Sequence, residues 1–386
     1  MNDYKTLKFP KSSLIYEEGN YPNDAFYIIT KGKVVSYANN SDKYNNEYNA
    51  GIIIGLVNLS INEPYFVNME AVEDVEVLEL HMSDIRNITN SDLIKKIYNY
   101  LTLTLETWLS RYYINLVKNK VDLYYKESLF TMADIYKENG FNDVAYKLYS
   151  EYIEDFSYDD INVEKAKKEI EKITPVGKPV KFLDNVYLYK KGSCIYTENR
   201  QSNHLYIIMS GKVGVYNILN GKLLIREIYT KNYILSGYPS NLEYKPLATT
   251  AIALEDSYIK LLSREDFLEM TIKDSQLRTY NIKMMSIKVV NTLLKIRAME
   301  EKNVTLKLFI IISSILKIEI LFEEANSIIL SHTVEDIINS INLETENIFN
   351  EFKKINSIEI IKNKYISVTN IDNFFREYYE FQKNNY

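Results

Sequence analysis

The sequence predicts an α+β chain of several domains, built on an internal repeat of strand-rich segments with helices after each copy. Three observations predict it. The stretches IGLVNLSINEPYFVNMEA (Gly55 to Ala71) and SGYPSNLEYKPLATTAIA (Gly237 to Ala253) share one frame: an opening Gly, a Pro at the same later step (Pro64, Pro246) and a closing Ala. An acidic strand pattern follows each, EDVEVLEL and EDSYIKLL. Upstream, FYIITKGKVVSY with Gly32 and LYIIMSGKVGVY with Gly211 read as matching hairpins, the glycine supplying the positive φ of a tight turn. Outside these copies, apolar residues recur at steps of three and four, the period of amphipathic helices.

Taken in order, the first strand-rich copy occupies residues 1–90. Its polar tract NNSDKYNNEYN, Asn39 to Asn49, reads as a long hairpin loop. A long helix over 91–119 follows, with Ile97, Leu101, Leu105, Trp108, Leu109 and Tyr112 on one stripe and Asp92 near its start as a cap. Residues 120–173 form a helical spacer in which Leu129, Met132, Ala133, Tyr136, Gly140, Ala145, Tyr149 and Tyr152 follow the spacing of one tetratricopeptide-like helix pair. A lone pair cannot bury its own faces, so it is expected to pack between the two strand-rich copies, a peptide-binding groove being the alternative. The prolines and glycine of TPVGKP mark the entry to the second copy, 174–273. The next helix, 274–302, carries Ile282, Met285, Val289, Leu293 and Ile296 on one stripe, which reads as a dimer seam, the alternative being a stripe packed on its own strand-rich copy. The last segment, 303–386, reads as the helix LKLFIIISSIL, two more helices separated at Ile341-Asn342-Leu343, and two strands joined at Lys362-Asn363-Lys364. Asn342 suits the left-handed conformation such a turn demands.

Composition bounds the function. A length of 386 residues, 46% hydrophobic and 25% charged, is that of an ordinary soluble globular chain of two to four domains. A net charge of −6 argues against a surface that is all nucleic-acid footprint, though not against a local one. Cys194 stands alone, which excludes a disulfide framework and a four-cysteine iron–sulfur cluster and fits a reducing cytoplasm. No export signal or span of about 20 apolar residues is present, so no membrane partner is expected. His81, His204 and His332 fall in different domains, and no nucleophile motif or phosphate-cradling Gly loop occurs. The chain therefore reads as a non-enzyme with no cofactor and no metal.

The repeated frame resembles the cyclic-nucleotide-binding domain of the CRP/FNR regulators, and Ile15 to Leu80 and Ile195 to Leu262 look like two such domains. The resemblance implies two jelly-roll-like β-rolls, with the Gly-to-Ala segment as phosphate-binding cassette. The order and lengths of the C-terminal elements look like the family's winged helix-turn-helix, which implies DNA binding as a homodimer.

In the family a Glu after the opening Gly binds the ribose, and an Arg after the Pro pairs with the phosphate. Here the first roll has Gly55 followed by Leu56, and Tyr65 at the Arg position; the second has Gly237 followed by Tyr238, and Leu247. No Lys or Arg occurs between Gly51 and Leu80. The second roll keeps Lys245 and Arg226 as candidate cations for a small anionic ligand, an apolar ligand being the other choice. In the winged segment the family's readout pattern falls on Thr345, Glu346, Asn347, Ile348, Phe349 and Asn350, without its two arginines. Thr345 lies at its start, Glu346 suits cytosine and Asn350 adenine, while Lys353, Lys354, Lys362 and Lys364 are left to meet phosphates. The expected function is a cytoplasmic CRP/FNR-like regulator with degenerate or retuned rolls, binding duplex DNA; the alternative is an interaction scaffold binding neither nucleotide nor DNA.

Overall fold

The computed structural model describes residues 4–39, 41–116, 129–155, 160–200, 202–219, 221–237, 248–322, 324–343 and 347–385. The first copy holds β1 (Lys5–Phe9), β2 (Leu14–Tyr16), β3 (Ala25–Lys31), β4 (Lys33–Ala38), β5 (Ser41–Asn49), β6 (Ile53–Ile54), α1 (Leu56–Ile61), β7 (Asn68–Ala71), β8 (Val75–His81) and α2 (Met82–Asn87). Then come α3 (Ser91–Leu116), α4 (Leu129–Glu138), α5 (Asn142–Asp155) and α6 (Asp160–Glu171). The second copy holds β9 (Val180–Leu183), β10 (Val186–Tyr189), β11 (Cys194–Tyr196), β12 (His204–Ser210), β13 (Val213–Leu219), β14 (Lys222–Tyr229), β15 (Ile234–Ser236), β16 (Thr250–Ala253), β17 (Ser257–Ser263) and α7 (Arg264–Lys273). After it run α8 (Ser275–Glu300), α9 (Val304–Glu319), β18 (Ile328–Thr333), α10 (Val334–Ser340), α11 (Ile348–Phe352), β19 (Ile358–Ile361), β20 (Tyr365–Val368) and α12 (Ile371–Asn385).

The repeat read from the sequence is matched in eight strands of each copy, and the second roll adds β9 at the edge of one sheet. Each roll pairs two antiparallel sheets, β1-β8-β3-β6 with β2-β7-β4-β5, and β9-β10-β17-β12-β15 with β11-β16-β13-β14. Even the irregularities repeat: the register shifts between Ile29 and Lys31 and again between Ile208 and Ser210. The two hairpin glycines are required by close approach as well as by φ. A Cβ at Gly32 would stand 2.6 Å from the Asp74 carbonyl oxygen, and one at Gly211 would stand 2.3 Å from Ser257 Oγ. The first roll closes on Ile29, Val34, Ile54, Met69, Val75 and Val77.

Two local expectations are corrected. The tract around Asn39 to Asn49 is largely the edge strand β5, paired antiparallel with β4 from Lys33↔Asn49 to Ala38↔Ser41. Tyr44, Asn46 and Tyr48 alternate inward with a period of two, and an edge strand tolerates the polar residues between them. At the start of α3 the cap is Asn90, not Asp92. Its Oδ1 accepts the N–H groups of Asp92 (2.9 Å) and Leu93 (3.1 Å), and Asp274 caps α8 identically through Gln276 (2.8 Å) and Leu277 (3.1 Å).

The chain divides into two compact units, Met1–Leu105 with Glu265–Val290, and Glu106–Arg264 with Asn291–Tyr386. In the first unit, Arg278 is buried and its guanidinium donates to five backbone carbonyls. Ile85 (2.6 Å), Ile88 (3.2 Å) and Arg86 (3.4 Å) lie at the end of α2, while Thr271 (3.0 Å) and Ile272 (2.7 Å) lie at the end of α7. The C-terminal ends of two helices carry unpaired carbonyls and partial negative charge, and one arginine satisfies both.

In the second unit, the helices α4 to α6 pack on the outer face of the second roll, where Tyr136, Leu148 and Tyr149 meet Cys194, Tyr216, Ile225, Ile228 and Ile252 in one core. Buried Asp143 fixes the contact by accepting from the N–H of Cys194 (2.8 Å) and of Val176 (3.0 Å). The three-stranded sheet of the C-terminal module has the order β18-β20-β19. The module also contains the strand β18 and the helix α12. The latter lays Phe374, Tyr378 and Phe381 around the Phe309 ring at 5.5, 5.6 and 5.4 Å.

The stripe Ile282, Met285, Val289, Leu293 and Ile296 is not an open seam. Ile282, Val289, Leu293 and Ile296 are buried within the single chain and Met285 is half-buried. Met284, Ile287, Val290, Leu294 and Ala298 are buried too, so between Met284 and Ala298 no residue of α8 is exposed, while Gln276 and Lys283 are exposed earlier in the helix. That stretch of the helix has no open apolar face to offer a second copy.

Candidate functional site

In the first roll, Gly55 adopts φ +81 and opens α1, whose first residue, Leu56, is fully buried. The chain then turns at Asn62 (φ 52), and Asn58 Nδ2 donates to the Pro64 carbonyl at 2.6 Å, holding the segment closed. Tyr65 follows. Its N–H donates to Asn20 O and its carbonyl accepts from Gly19 N, both at 2.9 Å, so its backbone is tied on both sides. The buried ring stacks on Tyr16 with centroids 3.9 Å apart and 12° between planes. It also lies against the cassette glycine, where a Cβ at Gly55 would meet Tyr65 Cε1 and Oη at 3.7 Å. Burial raises the pKa of both phenols well above the ordinary value, so both are neutral. The surroundings of Gly55 are thus aromatic, apolar and uncharged.

In the second roll, Gly237 is required by crowding, not by φ: a Cβ there would lie 2.9 Å from both Ser202 Oγ and Tyr206 Cε2. Tyr238, Lys245 and Leu247 lie outside the described residues. Arg226 is half-buried on β14, and among the described residues its guanidinium forms no ion pair. It is surrounded by tyrosines. Burial pushes the hydroxyls of Tyr113 and Tyr196 up to about 12, and the Arg226 charge partly opposes that rise. Tyr113 Oη contacts Asn217 Oδ1 at 3.4 Å, and Asn217 Nδ2 is buried with no hydrogen-bond partner. A cation and an unused donor therefore share the tyrosine-rich region of this roll.

At the C-terminal module, the turn at Asn342 (φ 49) falls where the sequence placed it, with Leu343 N donating to Ile338 O at 3.0 Å. Thr333 and Asp336 form a capping box at the start of α10. Thr345 and Glu346 lie outside the described residues. The following helix is short: Asn347 is left-handed (φ 62) and only Ile348–Phe352 is helical, with Ile348 and Phe352 buried. Phe349, Asn350, Lys353 and Lys354 are exposed. Lys354 Nζ pairs with Glu351 at 2.6 Å, which together with the Thr305 hydroxyl holds that carboxyl below its ordinary pKa. Lys362 and Asn363 take φ 53 each, the paired positive values of a two-residue hairpin turn, and Lys362 and Lys364 are exposed there.

His332, which looked isolated in the sequence, is buried between Glu227 and Glu319. The signal that could have found it is weak, because its partners are more than 100 residues away in one case. The Cys194 thiol is buried and pushed up to about 12 by that burial, so it is not a reactive thiolate. Among the described residues no three His, Cys, Asp or Glu side chains are arranged to hold a metal, and no helix is long and apolar enough to cross a membrane.

No curated protein matches the chain. Among solved structures, it is similar to FixK2 from Bradyrhizobium japonicum, at 16% identity over 50% of this chain and 97% of that one, with a TM-score of 0.38. A CooA mutant from Carboxydothermus hydrogenoformans is 17% identical over 50% and 87% of the two chains, TM-score 0.38. The cAMP-bound PfPKA-R is 18% identical over 76% and 81%, TM-score 0.25. The model of the cyclic nucleotide-binding domain matches residues 6–92 and 188–274, which coincide with the two rolls and their repeated cassettes. Two copies of the cyclic nucleotide-binding domain therefore make up the repeated part of this chain.

Proposed function

We propose that this chain is a CRP/FNR-like transcription regulator whose rolls no longer recognise cyclic nucleotides by charge and whose C-terminal module is a winged helix binding duplex DNA. The observation that carries it is the order α9, β18, α10, turn, α11, β19, β20, with the sheet order β18-β20-β19, following a roll and a long helix. In this reading α11 presents Asn350 to base edges, and Lys353, Lys354, Lys362 and Lys364 meet phosphates. Since α8 is covered, two chains on a palindromic site would meet through another surface.

Salt-titrated binding to random duplex DNA tests this. Each lysine–phosphate contact contributes a slope of about −0.9 in log K against log salt, so four contacts give roughly −3 to −4. Changing Lys353 and Lys354 to Glu is expected to weaken all sequences alike, whereas Asn350→Ala relaxes preference at one base pair at a cost of about 1–3 kcal/mol. An absence of duplex binding at low salt would leave the scaffold reading in front. That reading is favoured by the exposed Phe349 near the start of the short helix and by the engagement of Lys354 with Glu351.

For the rolls, each lost charged hydrogen bond to ligand costs about 1.5–3 kcal/mol. Two losses weaken a micromolar nucleotide by roughly three orders of magnitude. Calorimetry is expected to find no saturable cAMP or cGMP binding tighter than about 10 μM. If tighter binding is found and Arg226→Ala abolishes it, Arg226 has replaced the missing cassette arginine.

A further inference from the structure

The second roll and the C-terminal module meet across a buried set of charges. From β14, Glu227 Oε2 pairs with Lys295 Nζ of α8 at 3.1 Å, and Glu227 Oε1 lies 3.1 Å from His332 Nε2 of β18. Lys295 also donates to the Arg226 carbonyl at 2.6 Å. On the far side of the imidazole, Glu319 Oε1 at the end of α9 lies 3.8 Å from Nδ1 and accepts from the Ser331 N–H at 2.8 Å. The four charged side chains are each 6% exposed or less. Around them, Lys212 donates to Ser331 Oγ at 3.1 Å, and Tyr112 of α3 lies beneath Lys295 and donates to the Ser340 carbonyl of α10 at 2.6 Å. Tyr229, beside Glu227, is kept neutral by burial.

We propose that this cluster is a lock that fixes the C-terminal module on the second roll, so that the module's orientation is set by the fold and not by a ligand. Two carboxylates and two cations balance when His332 is protonated; the pairings of Glu227 with Lys295 and His332 each hold at one geometry, while His332 Nδ1, 3.8 Å from Glu319, makes no hydrogen bond and is held there by charge alone. An apolar contact could slide; a buried ion pair displaced by an ångström leaves a charge without a partner. The proposal holds whatever the module binds.

The pH window follows from the two shifts. Glu227 and Glu319 raise the His332 pKa from 6.5 to about 9 against its burial, so its contribution is complete below 6.5 and lost as pH rises through about 9. Lys295 and His332 hold Glu227 down at about 2 despite burial, so its contribution is complete above 4.5 and lost as pH falls toward 2. The lock is strongest between those limits and opens in alkali.

Native-state hydrogen exchange on the full chain tests it, comparing β18 and α10 with β13 and β14 after correction for the chemical exchange rate. At pH 6 the two sets are expected to open together with equal protection. Glu227→Gln, or pH above 9 in the unaltered chain, should lower protection in β18 and α10 at least tenfold relative to β13 and β14. Independent opening at pH 6, or an equal loss in both sets, would overturn the lock. Should the variant not fold, the imidazole resonance of His332 in the unaltered chain decides: titration near 9 supports the lock, and titration at or below 6.5 refutes it.

Discussion

Arg278→Leu is expected to destabilise the chain by about 3–5 kcal/mol, near the top of the range for single substitutions. The side chain reaches five carbonyls at two helix ends, and leucine offers none of the donors they lose. Those carbonyls are then left facing an apolar group at the negative ends of two helix dipoles. Urea unfolding of the first unit should show a lower midpoint at an unchanged slope, the mark of lost stability. Arg278→Lys should recover only part of the loss, since an ammonium has three donors on a point and cannot span both helix ends. A loss below about 1 kcal/mol for Arg278→Leu would mean that water satisfies these carbonyls and that the clasp contributes little.

Joint replacement of Val289 and Leu293 by Glu is expected to prevent folding. Both side chains are 5% exposed or less, and the basic residue one turn beyond Leu293, Arg297, is half-buried and already engaged in another interaction. Burying two carboxyl groups there costs several kcal/mol each, charged or protonated, which together is comparable with a typical domain's stability of about 5–15 kcal/mol. Circular dichroism and light scattering together read the outcome. A folded chain of half the starting mass would restore α8 as a dimer seam, whereas loss of the cooperative transition at low denaturant agrees with a helix covered by its own chain.

The repeat was legible because a cassette turn imposes the same demands wherever it is built. Gly55, Pro64 and Ala71 recur as Gly237, Pro246 and Ala253, and the hairpin glycines recur because a Cβ would strike the segment opposite. The turn at Asn342 was legible for a similar local reason, since left-handed backbone selects asparagine. Strand β5 was not, because a composition rich in Asn conceals the alternation of Tyr44 and Tyr48 in an edge strand. The cap of α3 was misplaced by two residues because Asn90 and Asp92 are both competent caps, and only backbone geometry chooses between them.

By itself the sequence determined that this chain repeats one strand-rich module, that both cassettes lack the Glu and Arg of the family they resemble, and that helices follow each copy. These are matters of residue type and spacing within a few dozen positions. Only the tertiary structure decided that the stripe on α8 is interior, that Tyr65 stacks on Tyr16 against Gly55, and that Glu227, Lys295 and His332 form one cluster. Periodicity shows that a face is apolar but not what covers it. A lone histidine and two distant carboxylates acquire charge and partners only when the fold brings them within about 4 Å in a medium where their interaction is poorly screened.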